Sequence, residues 1–572
     1  MKTKRARSSV RSRKLRAPCG EKQEPVKHTE NSGYFLWNLV TDFITNHRWV
    51  FVICFVLPMS LLFDLFYYFR ERYIRLFFSA PKLHDERVRK IQREIQEWKD
   101  RNDGTTLCTA RGGWQSISPQ YRLYKNKSTR INVDLHDILE LDTDGLTVRT
   151  EPCVNMGQLS HFLIRHGFTC PILPEMDDLT VGGMIMGVGI ETSSHKYGLF
   201  NDHVNVVDME LVMADGSVVT CDKKNNRDLY DAVFWSYGTL GFLVSVKLRI
   251  VPCEPYVKLR YIPCHTPDDG VSVFRGLSES EDPPDFVEAL AYSKDKMVVM
   301  AGTFATREEA STNSHLQNPI GRWYKPWFYK HVESFLGVKE VGEEPSYEYI
   351  PLRDYYHRHT RSIFWELREI IPIGNHPVFR FLLGWAVPPK VSFLKLTQTK
   401  ALAELYEKKH VIQDMLVPTS KMAEALTVFH RHYEIYPLWI CPYRAYDNGL
   451  VSGDGTPHRG FLRAPKNIAG GKDYEMYVDL GAYGIPKAVQ EKKPFDIVTV
   501  SHAVEKYVLK VKGYQMLYAD SYLSRTDFRK MFDHSHYDQV KRRYDPENAF
   551  PQIYEKVCKN AKVYWEKKAD SQ

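Results

Sequence analysis

Glycines, phenols, carboxylates and basic side chains stand at several places in this chain with types and spacing that could do chemistry. The longest such stretch is Pro174–Phe200, PEMDDLTVGGMIMGVGIETSSHKYGLF, which carries glycines at 182, 183, 187, 189 and 198. Gly182, Gly183, Gly187 and Gly189 let a backbone come close to a ligand. The amides of Thr180, Val181, Gly182, Gly183, Met184, Ile185, Met186, Gly187, Val188, Gly189, Ile190, Glu191 and Thr192 would then face an anion where a loop enters a short helix. A dinucleotide pyrophosphate suits such a cradle, although a tight buried turn has the same composition. Arg111-Gly112-Gly113-Trp114 is a second glycine turn, closing the apolar run Thr106–Ala110. Tyr477 with Asp479, and Tyr518 with Asp520, stand two residues apart, a spacing that puts phenol and carboxyl on one face of a strand. The alternative for each tyrosine is packing, with its hydroxyl bonded to backbone. His195 and Lys196, just after the glycine loop, are basic groups for a phosphate, or else structural donors. His357, Arg358, His359, Thr360 and Arg361 do not have the spacing of a closed tetrahedral set, so no metal site is read there. Arg358 and Arg361 instead suit a phosphate, or a solvated helix face.

Those residues need elements to position them. Ile131–Leu141 and Leu146–Val154 read as strands, and Gly157–Gly167 reads as a helix entering the glycine loop. Met209–Met213 and Val218–Cys221 flank Ala214-Asp215-Gly216-Ser217 as a hairpin, and Arg227–Pro252 carries a helix and then a Gly-x-Leu-Gly-Phe turn. Further on, Asp414–Pro418, Lys421–His432 and Tyr436–Pro442 read as strand, helix and strand. Tyr474–Gly481 alternates like a strand, and Met516–Tyr522 does so less cleanly. Arg543–Phe550, RYDPENAF, reads as a closing turn. Val88, Ile91, Ile95 and Trp98 stand at helical spacing in Asp85–Lys99, with charges on the other face.

Trp49–Phe63 is uncharged, and Leu65–Phe69 extends it past Asp64 to about the length that crosses a bilayer. A single membrane anchor is the expectation, with an interfacial helix as the alternative that Pro58 and Asp64 keep open. Pro377–Pro389, PVFRFLLGWAVPP, is apolar and too short to span; it reads as buried core, or as the mouth of a lipid-substrate channel. The net charge of +8 gathers in residues 1–16, where eight basic residues stand without an acid. No nucleic-acid motif accompanies them, so a solvated tail beside a membrane is the reading and no nucleic-acid partner is expected. The ten cysteines form no C-x-x-C pair, which is the usage of reduced thiols facing the cytosol.

The order of glycine turn, Gly-Gly loop, Val-x-Ala-Asp-Gly-Ser hairpin, Asp-Leu-x-x-Ala helix and Gly-x-Leu-Gly-Phe turn resembles the vanillyl-alcohol-oxidase type of FAD-binding family. Within it, LPEMDDLTVGG, GIETSSHKYGLF, YYHRHTRSIFWELREIIP, VPPKVSFLKLTQ, HVIQDMLVP and GYQMLYADSY look like the Δ24-sterol reductase (seladin/Diminuto) family over roughly Arg48 to Lys559. The resemblance implies an α+β chain with a two-subdomain FAD-binding domain (PCMH type), an α+β cap domain and an N-terminal membrane anchor helix. Its expected segments are a basic tail (1–46), the anchor (47–70), an amphipathic helical linker (71–104), the FAD-binding domain (105–253), the cap (254–480) and a C-terminal part returning to the flavin (481–572). It further implies reduction of a sterol C24–C25 double bond with NADPH, at the endoplasmic reticulum membrane, single-pass, with the catalytic domain cytosolic. Arg111, Gly112, Gly113, His195 and the loop Thr180–Thr192 would hold FAD. Trp114 stands where relatives with covalent flavin carry a histidine, so non-covalent FAD is expected. Tyr518 would be the acid, with Asp520 beside it and Tyr477 as second choice. A sugar-acid or aldonolactone oxidase and a membrane-tethered scaffold are the competing functions. The oligomeric state, a homo-oligomer included, stays open.

Overall fold

A computed structural model of the protein describes residues 47–77, 80–116, 123–337, 346–451, 457–463, 465 and 473–559; the basic tail lies outside the described residues. Helix and sheet are mixed throughout. Near the start, β1 (Thr106–Thr109) and β2 (Ser128–Ile131) pair in parallel. An antiparallel sheet follows from β3 (Ile138–Asp142), β4 (Thr147–Thr150), β6 (Val206–Val212), β7 (Val218–Asp222) and β8 (Phe242–Arg249), in the order β3-β4-β8-β6-β7. The expected strand across residues 131–141 is thus two shorter ones, β2 and β3, with a strandless link between. The small pair β5 (Phe168–Thr169) and β9 (Val251–Pro252) ties the end of this half to its middle.

Helix Ala80–Arg101 is integral to this half. Val88, Ile91 and Ile95 are buried with Leu107, Ile131, Val244 and Phe550. Arg87 reaches Asp137 at 2.5 Å and Glu151 at 3.1 Å, and His84 meets Glu151 at 2.8 Å. The RYDPENAF turn closes the same unit: the Asp545 carboxylate accepts from the amides of Ala549 (2.7 Å) and Phe550 (3.0 Å), and the Ala549 carbonyl accepts from the amide of Leu107.

The larger sheet is built from β10 (Tyr256–Cys264), β11 (Phe286–Ala291), β12 (Met297–Ala305), β13 (Tyr347–Pro351), β14 (Val411–Pro418) and β15 (Leu438–Tyr446). After a small sheet of β16 (Leu450–Val451), β17 (Pro457–Arg459) and β18 (Leu462–Arg463), it is completed by β19 (Tyr474–Gly484) and β20 (Tyr514–Gln515). Its order is β13-β10-β12-β11-β15-β19-β14-β20. β14, helix Met422–His432 and β15 are the expected strand-helix-strand unit, with β19 inserted antiparallel between the two strands.

The period-two alternation of these strands divides the sheet's residues by chemistry. Val287, Ala289, Ile440, Met415, Val417 and Leu480 lie on one face, where helices Pro267–Ser278, Met422–His432 and Ile497–Lys510 pack. Glu288, Trp439, Cys441, Asp479, Tyr483 and Asp414 share the other, and all are buried. Buried polar groups need partners: Glu288 finds them in Arg358 and Trp439, and Asp414 in Tyr483 and Tyr518.

Candidate functional site

The glycine loop forms a short helix, Val181–Met186, that ends at Gly187 and runs on through an irregular stretch to Thr192. Some of its amides are spent on the protein. Val181 donates to Val154 O, Gly182 to Pro152 O, Glu191 to Ser194 Oγ and Thr192 to its neighbour Glu191. The amides of Val188, Gly189 and Ile190 have no acceptor among the described residues. Consecutive amides left open in a buried turn are costly unless a ligand takes them, and such a row suits a diphosphate. The turn that presents these amides needs its glycines: a Cβ at Gly187 would lie 2.6 Å from the Gly183 carbonyl, and one at Gly189 would lie 2.9 Å from Phe200 Cβ. The first glycine turn is joined to this loop through Arg111, whose guanidinium donates to Thr180 Oγ1 (3.2 Å) and to Gln115 O (3.1 Å). The residues present therefore fit a flavin dinucleotide.

Gly187 offers a direct check. Gly187→Ala forces the loop backbone apart, an overpacking cost of about 1–3 kcal/mol. The purified variant is expected to retain FAD roughly tenfold less well or worse, read as the flavin-to-protein absorbance ratio after dialysis.

Next to the loop lies an ion cluster. The fully buried Arg358 holds Glu288 through two parallel bonds (2.7 and 2.8 Å), the geometry that makes arginine–carboxylate pairs strong. It also reaches Glu191 of the loop at 2.8 Å, and Trp439 Nε1 donates to Glu288 at 2.9 Å. Burial pushes the Glu288 carboxyl up, but Arg358 overrides it and holds the group far below the usual range. Burial keeps Glu175 and Glu191 raised despite Arg358. His359 is stacked on Phe364 at 5.1 Å, and burial depresses its pKa to about 4.

These positions correct the reading of the HRHTR cluster. Arg358 neither meets a phosphate nor lies on a solvated face, because three buried glutamates surround it. Arg361 is spent on the carbonyls of Ile320, Arg322, Trp323 and Lys325. His195 is buried, its Nε2 is 2.8 Å from the Pro284 carbonyl, and burial lowers its pKa to about 4, so it is a neutral structural group. Lys196 pairs with Asp285 at 2.9 Å.

Farther along the same face of the large sheet stands a second cluster. Asp414 accepts from Tyr483 Oη at 2.5 Å and from Tyr518 Oη. Asp479 stands beside it from β19. Burial raises Asp414 to about 6, and burial together with the nearness of Asp414 raises Asp479 well above the ordinary carboxylate range. Neither oxygen of Asp479 has a hydrogen-bond donor among the described residues. Two carboxylates in one dry site cannot both ionise cheaply, so each raises the other's hold on a proton. Tyr237 joins this cluster to the glycine loop. Its amide donates to Met186 O, its ring is 3.5 Å from the Cβ position of Gly187, and its hydroxyl adds to the upward shift of Tyr518.

The expected pairing of Tyr518 with Asp520 on a strand face does not form. The strand ends at Gln515, and Met516–Asp520 turns, so the two side chains part. Asp520 pairs with Lys559 at 3.1 Å, while its carbonyl accepts from Gln413 and Gln515. Tyr477 is buried, stacks near Tyr443 and Tyr514, and donates to Lys512 O at 3.4 Å. Asp414 is the buried carboxylate that periodicity misses. Its signal is an acid next to Gln413 in the mostly apolar strand run VIQDMLVP.

Comparison with known proteins follows this geometry. Residues 89–222 match a family described as FAD binding domain; the match begins inside helix Ala80–Arg101 and covers the glycine loop. The chain is 47% identical to the Delta(24)-sterol reductase of Macaca fascicularis, over 92% of this chain and 97% of that protein. It is 48% identical to the Delta(24)-sterol reductase of Homo sapiens, over 91% and 95%, and 42% identical to the Delta(24)-sterol reductase homolog dhcr-24 of Caenorhabditis elegans, over 92% and 97%.

Proposed function

The chain belongs to the Delta(24)-sterol reductase family, oxidoreductases with an FAD-binding domain, and from that premise we propose how its residues divide the reaction. The protein saturates the C24–C25 double bond of a desmosterol-like sterol side chain, with NADPH as reductant and FAD held non-covalently. The observation that carries this reading is the Asp479–Asp414–Tyr518 cluster, a dry proton store adjoining the glycine loop through Tyr237.

The amides of Val188, Gly189 and Ile190 would hold the diphosphate, with Arg111 tied to the start of the same loop at Thr180. Gly112 and Gly113 would form the first turn of the site. FAD, when bound and reduced by NADPH, would supply the hydride for the alkene. The protein supplies the proton. An isolated trisubstituted alkene is protonated at C24, its less substituted carbon, because the positive charge then develops at tertiary C25. Tyr518 is the group that delivers this proton. In the resting arrangement its Oη–H points at Asp414. When the proton of Asp479 passes to Asp414, that carboxyl turns from acceptor to donor and releases the Tyr518 hydroxyl hydrogen towards the substrate. Asp520 keeps Tyr518 in place, since its carbonyl pins the turn to Gln413 and Gln515. Tyr477 stays a packing residue, set against Tyr443 and Tyr514.

The test follows the flavin colour anaerobically. NADPH bleaches the yellow protein and desmosterol restores it, and product formed in D2O carries one deuterium at C24. A protein bleached by a sugar lactone and not reoxidised by the sterol is an oxidase, and a colourless protein is a scaffold; either result overturns the proposal.

A further inference from the structure

The helix that is apolar enough to cross a membrane, Arg48–Arg70, is fastened along one face to the catalytic body. Val52, Val56, Leu57 and Ser60 are each at most 2% exposed, and with 56 and 57 adjacent they mark one stripe along successive turns. Arg48 donates to Leu394 O at 3.1 Å, and Phe63 meets Phe393 edge-on at 5.3 Å. Ser60 Oγ accepts from the amide of Lys390 at 2.9 Å. The Lys390 ammonium bridges Asp64 (2.9 Å) and Asp178 (2.8 Å). Asp178 stands two residues before the glycine loop. These attachments run from residue 48 to residue 64, about 24 Å of helix. A helix crossing a bilayer while so attached would draw Lys390, Asp178 and the adjoining cofactor loop into hydrocarbon, where each charge costs several kcal/mol.

The opposite face of the helix is bare and greasy. Phe55, Met59, Leu62, Leu65, Phe66 and Phe69 are each at least half exposed. The turn Gly384–Ala386 packs against the same helix, and beside it helix Pro377–Leu383 exposes Val378 (58%), Phe381 (71%) and Leu382 (60%), with Trp385 at 57%. Pro377–Pro389 is therefore only partly a core segment: Phe379, Ala386 and Val387 are buried while these four side chains face outward. Arg380 and Arg322 stand around the patch with Trp323 and Tyr324, the aromatic and basic residues favoured at a headgroup boundary. The two surfaces are continuous, and a contiguous apolar face of this size marks a contact surface.

We propose that this face seats the protein in one leaflet of a lipid bilayer, with helix 48–77 lying along the membrane plane and Phe381, Leu382 and Trp385 as a second point of entry. The N-terminal segment and the catalytic body then lie on the same side of the membrane. The inference does not depend on the sterol chemistry proposed above and is tested without measuring turnover.

The test uses the full chain, tagged at both ends, in sealed microsomes. Protease is expected to remove both tags without detergent; protection of the N-terminal tag while the C-terminal tag is cleaved means that the helix spans, and overturns the proposal. In parallel, the full chain bound to vesicles of phosphatidylcholine and phosphatidylserine carrying brominated acyl chains loses tryptophan emission. Trp385→Phe is expected to remove a resolvable part of that quenching, and Phe381→Ser with Leu382→Ser to weaken vesicle binding by about tenfold, at unchanged FAD content. Quenching and binding equal to the unsubstituted protein would show that this patch faces water and would equally overturn it.

Discussion

Asp414→Asn slows reoxidation of the reduced protein by a Δ24 sterol by about a hundredfold or more, while its reduction by NADPH stays within about twofold of the unsubstituted rate. The asparagine fills the same space between Tyr483 and Tyr518. It has no ionisable proton, so the path from Asp479 to Tyr518 is cut. Tyr518→Phe is expected to give a loss of similar size, and the double variant to be little worse than either alone, because the residues act as one unit. Stopped-flow flavin absorbance separates the two half-reactions; equal reoxidation by the variant and the unsubstituted protein would exclude a proton role for this cluster. The same acids leave a mark on stability. Both carboxyls have folded-state pKa values raised above the unfolded value, so the folded protein binds protons that the unfolded chain has lost. Their contribution is therefore greatest at low pH and declines as pH rises from about 4 through about 6 for Asp414, and onward for Asp479. Asp479→Asn is expected to flatten this slope, so its melting temperature gains on that of the unsubstituted protein between pH 5 and 8.

Arg358→Met costs about 3–5 kcal/mol of stability. Arg358 is the cation that Glu288 and Glu191 bond, with Glu175 at 4.0 Å, and all four are buried. Methionine keeps the volume and withdraws the charge, so Glu288 moves from a depressed pKa to a raised one. Its deficit consequently grows as pH rises from 4 to 7. Glu288→Gln added to Arg358→Met is expected to recover part of the loss, because one uncompensated carboxylate is then gone. Thermal unfolding across that pH range checks both; a variant melting with the unsubstituted protein at pH 7 would show that the cluster is not held by this arginine.

Local grammar carried most of the fold. The glycine loop, the hairpin around Asp215-Gly216, the helix from Arg227 and the strands read at 414–418 and 474–481 are patterns of a few adjacent residues; they form where spacing and turn chemistry put them, the two strands running on to 411–418 and 474–484. The long apolar helix at 48–70 and the DPENAF turn were legible for the same reason. Contacts between distant residues were not. Asp414 and Tyr518 are 104 positions apart and meet only because β20 pairs with β14. Arg358 lies 167 positions from Glu191. Periodicity could not distinguish a phosphate-binding arginine from one enclosed by glutamates, since burial there is decided by the sheet that closes over it. Tyr518 with Asp520 failed for a different reason: two-residue spacing implies a shared face only while the strand continues, and here it stops at Gln515.

The Lys390 bridge has a mechanical consequence. One ammonium ties Asp64 on the apolar helix to Asp178, and from Asp178 the backbone runs two residues to Thr180 and into the glycine loop. With the helix seated in a leaflet as proposed, a change in bilayer thickness or lateral pressure that tilts it would pull on that loop through this charged link. The membrane would then have a lever on flavin binding, and cutting the lever with Lys390→Met is expected to leave flavin retention the same in thin and thick vesicles.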